Sequence, residues 1–291
     1  MNLNKKIRRL KDRIRLNRRT FLIYSVLRAL VLVAMVRCAV MRQYEDVALC
    51  ALSLFLFLLP SYFEDRMSLT ASPMFETVIY IFIYAAWMLG ELHHLYILVP
   101  GWDTLLHTIN GFLCAAVGFS LFDILNAGSR RIQLSPVYLA VVAFCFSMTV
   151  GVLWEFIEFG GDVLFRLDMQ KDYVIPYFGS VTLDPTHSQI PVNVSGITKT
   201  IIETSGGKTY VIPGGYLDIG IVDTMKDLFV NFLGALTFSI IGYRQVCHRS
   251  KLRITEHFAV RPETDEERAV IAKEIDEEEA AYESRRMRRR K

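Results

Sequence analysis

Six apolar runs constrain this chain more than any other feature, because each is close to the ~20 residues needed to cross the hydrocarbon layer of a bilayer. They cover Phe21–Met41, Val47–Phe63, Phe75–Leu92, Thr104–Leu125, Pro136–Phe159 and Ile219–Tyr243. In lipid, every backbone polar group has to be satisfied within the protein, so runs of this length cross as helices. The expected fold is an all-α polytopic membrane protein, a six-transmembrane-helix bundle spanning residues 20–243. A basic cytoplasmic segment, 1–19, precedes it, and a charged helical tail, 244–291, follows.

Charge sets the expected orientation. The first nineteen residues hold nine Lys or Arg (Lys5, Lys6, Arg8, Arg9, Lys11, Arg13, Arg15, Arg18, Arg19) against one acid, Asp12. Cytoplasmic segments carry such an excess, so the N-terminus is expected inside, and with six spans the C-terminus as well. Arg66 and Arg130–Arg131 fall in loops assigned inside, whereas the loop Glu91–Trp102 has no Lys or Arg. The expected location is a membrane crossed several times, with the first span retained as an anchor. Ile7, Leu10, Ile14 and Leu16 interleave with the bases, which suits a topology signal and also a helix on the anionic inner leaflet. Membrane lipids are thus the expected partners, and nucleic acid is not. From Pro262 onward a capping box, Thr264 to Glu267, early acids and late bases read as a solvated helix.

Cys38, Cys50, Cys114 and Cys145 lie inside spans and Cys247 just past the last, with no CxxC pair. A disulfide or zinc framework is not expected, and they read as small packing residues. Between the fifth and sixth spans lies an extracytoplasmic insert, 160–218, richer in Gly, Pro, Asp and Thr. Its later half reads as a β-hairpin, with Thr198, Ile201 and Thr204 before Ser205-Gly206-Gly207 and Thr209 to Ile212 after. Two strands alone are marginal, so the hairpin is expected to pack as a lid over the spans.

Ionisable groups inside spans are expensive and are functional candidates for that reason. Here they repeat at helical spacing at the ends of three spans that face one side: Asp103, His107 and Asn110; Glu155, Glu158 and Asp162; Asp223, Asp227 and Asn231. Each triplet follows one helix face. Gly111, Ala115, Gly118, Gly151, Gly234 and Ala235 allow those helices to approach closely. Trp87, Trp102 and Trp154 map to the same side, as an aromatic interface belt. Packed together, the faces would enclose up to five carboxylates and one imidazole, which cannot all stay charged without proton sharing, an Arg partner or a cation. Arg37 is the expected arginine. Oxygen-rich ligation with one imidazole suits Mg2+ or Mn2+.

The candidate metal ligands are therefore Asp103, His107, Glu155, Glu158 and Asp227. His107, Glu155 and Glu158 are the candidate catalytic groups, His107 as ligand or general base. Asn110, Asp223, Asn231 and Arg37 are candidates to orient a substrate. Asp103 and Asp223 also sit where helix N-termini welcome acids, so a capping role stands beside the functional one. A faint internal echo, Asp103-Thr104 with His107 against Asp223-Thr224 with Asp227, suggests two related helical hairpins.

The strings Trp102-Asp103-Thr104-Leu105-Leu106-His107 with Asn110-Gly111-Phe112, Gly151 to Glu158, and Asp223-Thr224-Met225-Lys226-Asp227-Leu228 with Asn231 and Gly234 resemble the bacterial inner-membrane family typified by YjdF. The resemblance covers roughly residues 75–243, and that family has no assigned activity. The chain is also distantly similar to the VanZ-like proteins, which have a His early in one span, an acid ending the next, and an Asp with a later Asn-x-x-Gly in the last. That similarity implies envelope-lipid or cell-wall chemistry, although the Glu-x-x-Gln and following Arg element of those proteins has no clear counterpart here.

The expected function is an outward pocket that binds a divalent cation and, through it, an envelope-lipid headgroup. A proton- or cation-coupled transporter and a membrane scaffold are the alternatives. Reporters fused after residues 20 and 250 are expected to read cytoplasmic and one near Gly206 external; a cytoplasmic reading at Gly206 would reverse the orientation of the acidic ends.

Overall fold

The computed structural model describes residues 18–128, 134–248, 254–262 and 264. Six helices are long and apolar enough to cross a membrane: Arg18–Val40, Tyr44–Glu64, Pro73–Leu92, Trp102–Ala127, Pro136–Phe165 and Ile221–Cys247. Leu22, Val33, Val36, Phe156, Ile157 and Phe229 are exposed along them. A surface of that kind belongs against lipid. The protein is a polytopic α-helical bundle. The helices are α1 (Arg18–Val40), α2 (Tyr44–Leu56), α3 (Leu59–Met67), α4 (Pro73–Tyr84), α5 (Leu95–Leu98), α6 (Trp102–Gly128), α7 (Pro136–Phe165), α8 (Ile221–His248) and α9 (Ile254–His257).

Local chemistry explains where spans start and break. Ser72 and Ser135 each precede a proline, and each hydroxyl accepts a hydrogen bond from the backbone N–H three residues on, at 3.3 Å. Serine at the cap satisfies a free donor, and proline at the first helical position has none to lose. The second span breaks between α2 and α3, where Pro60 occupies the first turn of the new helix. Helix α4 continues as a π-helix over Ala85–Leu92, and the chain then turns through His94 at φ 58°. Such wider windings are rare and gather at functional sites.

The spans pack as two groups. Tyr24, Val31, Cys50, Phe57, Tyr80 and Met88 form the buried core of the first three spans. Leu113, Ala115, Ala116, Phe119, Leu139, Ala143, Ala235 and Phe238 form that of α6, α7 and α8, with Phe75 added from α4. In the second group the backbones nearly touch. A Cβ at Gly111 would overlap the carbonyl of Asn231, and a Cβ at Gly234 would overlap that of Thr108. The relation is reciprocal, since each glycine lies three residues beyond the carbonyl that the other receives. Ser147 ties in α7 by donating to the Gly111 carbonyl at 2.8 Å.

Helix α7 runs six residues beyond the expected end at Phe159, so the insert begins at Arg166 rather than at residue 160. The Gly160-Gly161 pair does not end the helix, because Gly161 is where the returning chain crosses and a Cβ there would meet Met169. At the other end, Gly220 at φ +90° delays α8 to Ile221. The insert holds three antiparallel pairs: β2 (Val174–Ile175) with β7 (Tyr216–Leu217), β3 (Tyr177–Ser180) with β4 (Val192–Ser195), and β5 (Lys199–Glu203) with β6 (Thr209–Pro213). The last is the expected hairpin. It is not the lid, since most residues of β5 and β6 are exposed. What covers the helix ends is the strap from Arg166 to Tyr173.

At the opposite end of the bundle, β8 (Val260–Pro262) pairs antiparallel with β1 (Leu69–Ala71), which precedes α4. Phe258 stacks edge-on against Phe75 and Phe112, at 6.0 and 5.2 Å between centroids. The expected N-terminal surface helix and the helix after Pro262 lie outside the described residues.

Gly234→Val is expected to destabilise by ~1–3 kcal/mol through overpacking, lowering the thermal midpoint in detergent. Gly206→Ala, where an added Cβ meets nothing, is the control expected to leave that midpoint unchanged.

Candidate functional site

The close approach of α6, α7 and α8 brings their polar faces together at the insert-bearing end. Asp103 and His107 come from α6, Glu155 and Glu158 from α7, and Asp223, Lys226 and Asp227 from α8. Asp227 is 1% exposed, Glu155 4% and Asp223 4%, depths at which an unpaired charge is costly.

His107 is the centre of the group, and its two ring nitrogens face different carboxylates. Nε2 lies 3.4 Å from Asp103 Oδ1 and 3.9 Å from Asp227 Oδ2, while Nδ1 lies 3.9 Å from Glu155 Oε1. Glu158 Oε1 accepts a hydrogen bond from Trp154 Nε1 at 2.9 Å. Two sets of three ligands result, Asp103–His107–Asp227 and His107–Glu155–Glu158, with ligand atoms within 4.8 Å of one another in each. Around an ion at about 2.1 Å from its ligands, opposite donors are at most about 4.2 Å apart. Small side-chain rotations would therefore close either set on a cation.

The cationic side chain at the cluster is Lys226, not Arg37. Its Nζ lies 3.3 Å from Asp223, 3.7 Å from Asp103 and 3.8 Å from Asp227. Arg37 is exposed on α1, a helix that packs mainly on α2 and α4, and so belongs to the other half of the bundle. Lys226 was legible, because a lysine inside an apolar span, between two aspartates and on their face, is itself a candidate. Even with Lys226 in place, carboxylates remain in excess. Glu155 Oε2 and Asp227 Oδ1 are buried with no hydrogen-bond partner.

Asn110 and Asn231 lie deeper and bond to each other, Asn110 Nδ2 donating to Asn231 Oδ1 at 3.2 Å. Asn231 Nδ2 points at Met148 Sδ, 3.6 Å away, and a Cβ at Gly151 would overlap that amide. These amides join the helices to one another. Asp162 and Asp223 hold the strap. Asp162 accepts from the N–H groups of Met169 and Gln170 at 2.6 and 2.9 Å, and Asp223 from Lys171 at 2.9 Å. Gln170 reaches the Thr224 hydroxyl. His93 and His94 stay outside the cluster, His93 bonding to the Met88 carbonyl.

A pocket of about 350 Å³ opens between the two halves of the bundle, above the cluster. Asp103, Glu158, Asp223 and Lys226 form its polar side, and Trp87, Tyr96, Trp154 and Tyr173 its aromatic walls. Trp87 and Trp154 meet edge to face at 6.5 Å, bridging the π-helix and α7. The π-helix also brings Glu91 to this pocket, and a Cβ at Gly90 would overlap the Tyr96 ring.

A family model described as "Predicted membrane protein (DUF2238)" matches residues 23–248. The chain belongs to that family. No curated protein and no solved structure matches it. The matched region starts in α1 and ends at the last residue of α8, so it contains every group of the cluster. The family description assigns no activity and names neither YjdF-type nor VanZ-like proteins.

Asp218 anchors the end of the strap just before α8. Burial raises its carboxyl pKa, but hydrogen bonds from the N–H groups of Tyr173, Val222 and Gly220 outweigh that and hold it below the usual carboxylate range. The stabilisation is present above the unfolded value of about 3.9 and is lost as pH falls through the depressed folded value. Amide exchange at Tyr173, whose N–H donates to Asp218, is expected to stay protected relative to its intrinsic rate from pH 7 down to about pH 4 and to lose that protection below it. In Asp218→Asn protection at Tyr173 should be weaker already at neutral pH, while Met169, Gln170 and Lys171 stay held by Asp162 and Asp223.

Proposed function

We propose that the protein binds a divalent, oxygen-preferring cation, Mg2+ or Mn2+, in the cluster of Asp103, His107, Glu155, Glu158 and Asp227, and through it engages the headgroup of an envelope lipid. The observation that carries this reading is the excess of buried carboxylate over built-in positive charge. Five carboxylates surround one lysine and one imidazole, and Glu155 Oε2 and Asp227 Oδ1 have no hydrogen-bond donor. A divalent cation reduces that imbalance, and hard cations of this size take carboxylate and imidazole ligands together.

The headgroup part of the proposal rests on the pocket above the cluster. Its volume of about 350 Å³ falls at the lower end of the range for small-molecule sites. Its aromatic walls lie at the level where Trp and Tyr mark a membrane interface. The resemblance to VanZ-like proteins, with the positive-inside pattern of the loops, favours a pocket opening on the outer side of a bacterial cytoplasmic membrane. The proposal assigns binding, with His107, Glu155 and Glu158 as the groups able to move a proton at a bound ligand.

Transport is disfavoured by what lies beneath. Below the Asn110–Asn231 pair the second core is mainly apolar, with Leu113, Ala115, Ala116, Phe119 and Phe238 buried, and the polar side chains buried there among the described residues are the hydroxyls of Ser120 and Ser239 rather than carboxylates.

Glu155→Gln is the test of cation binding. In the metal-free protein it is expected to raise the thermal midpoint by removing a buried, unpaired charge. It is also expected to abolish the stabilisation that Mn2+ confers on the wild type. A wild-type protein that holds no metal by elemental analysis and gains no stability from Mn2+ or Mg2+ would overturn the proposal.

A further inference from the structure

The two ligand sets share His107, and a neutral imidazole gives one nitrogen to an ion while the other carries the proton. The environment of each nitrogen decides between them. On the Nε2 side, Asp103 and Asp227 already share Lys226, whose Nζ lies 3.7 and 3.8 Å from their oxygens. An ion there would sit against an ammonium group. On the Nδ1 side no lysine or arginine approaches among the described ion pairs, and Glu155 Oε2 is buried without a hydrogen-bond partner. Glu158 Oε1 is taken by Trp154, leaving Oε2 for a ligand.

Resting on the cation reading above, we infer that Lys226 takes the place of a second ion, so that the protein holds a single divalent cation on His107 Nδ1, Glu155 and Glu158. In this arrangement the Nε2–H of His107 is donated to Asp103 at 3.4 Å. A carboxylate on the far nitrogen fixes the ring orientation and strengthens the ligand, as in other metal-bound histidines. Asp103, Asp223 and Asp227 then face Lys226 instead of the ion. Lys226 thereby determines how many ions the site takes, and Asp103 is a positioning residue.

The test is Mn2+ titration of the full chain in detergent, read by the Mn2+ resonance and by elemental analysis at saturation. The wild type is expected to bind about one ion. Glu158→Gln should lose at least about tenfold in affinity as a ligand deletion, whereas Asp103→Asn should keep the same stoichiometry with a weaker affinity. Lys226→Gln should raise the stoichiometry to about two, because three aspartates are freed for a second ion. Lys226→Arg keeps the charge and should remain at about one, which separates loss of charge from loss of fold.

A single ion in Lys226→Gln would overturn the inference. So would abolition of binding by Asp103→Asn with Glu158→Gln unaffected, and in either case cation binding itself would still stand. No Mn2+ bound by the wild type would overturn both.

Discussion

The arrangement depends on the near-contact of α6 and α8, made possible by two glycines. With Gly111 under the Asn231 carbonyl and Gly234 under that of Thr108, the helices can neither rotate nor separate without leaving a void. The amide pair Asn110–Asn231 and the Ser147 hydroxyl pin the same level. A helix held at that level carries residues three, four and seven positions away onto the same face. This is why His107, Asp103, Asp227 and Asp223 meet above it, and why α7 adds Glu155 and Glu158. Small residues drive such packing in membranes, where burial of apolar surface gives no advantage over lipid.

Placing four buried carboxylates beside the half-buried Asp103 costs several kcal/mol per uncompensated ion. The protein compensates unevenly. Lys226 is shared among the aspartates of α6 and α8, Trp154 satisfies one oxygen of Glu158, and Asp223 is further occupied by the strap. Glu155 is left with a bare oxygen. The strap completes the site from above and is itself held by carboxylates, Asp162, Asp218 and Asp223, each accepting backbone N–H groups. Acids at this end of the bundle thus divide into those that hold backbone and those that face the cluster.

Much of this was legible in the sequence. The six spans follow from apolar run length, and the convergence of Asp103, His107, Glu155, Glu158 and Asp227 follows from helical spacing combined with span direction. The hairpin 199–213 follows from alternation around Ser205-Gly206-Gly207. Other features depend on contacts that no spacing encodes. Depth along its span makes Arg37 a counter-charge candidate, but α1 packs on α2 and α4 in the other half of the bundle. Spacing puts Asn110 and Asn231 on the faces of the cluster, and only the close approach at the glycines shows that the two amides bond across the contact. The α7 extension past Gly160-Gly161 arises because the returning strap needs a crossing point without side chains. The role of Glu91 required the π-helix, which turns it toward the pocket and leaves no mark in periodicity.

The most direct measurement of the central claim is the electron spin echo of Mn2+ bound to the full chain, which detects nitrogen atoms bonded to the ion. The account predicts a single directly coordinated imidazole nitrogen, lost in His107→Gln while bound Mn2+ is weakened and not eliminated. An echo modulated only by water protons, identical in the wild type and His107→Gln, would contradict it.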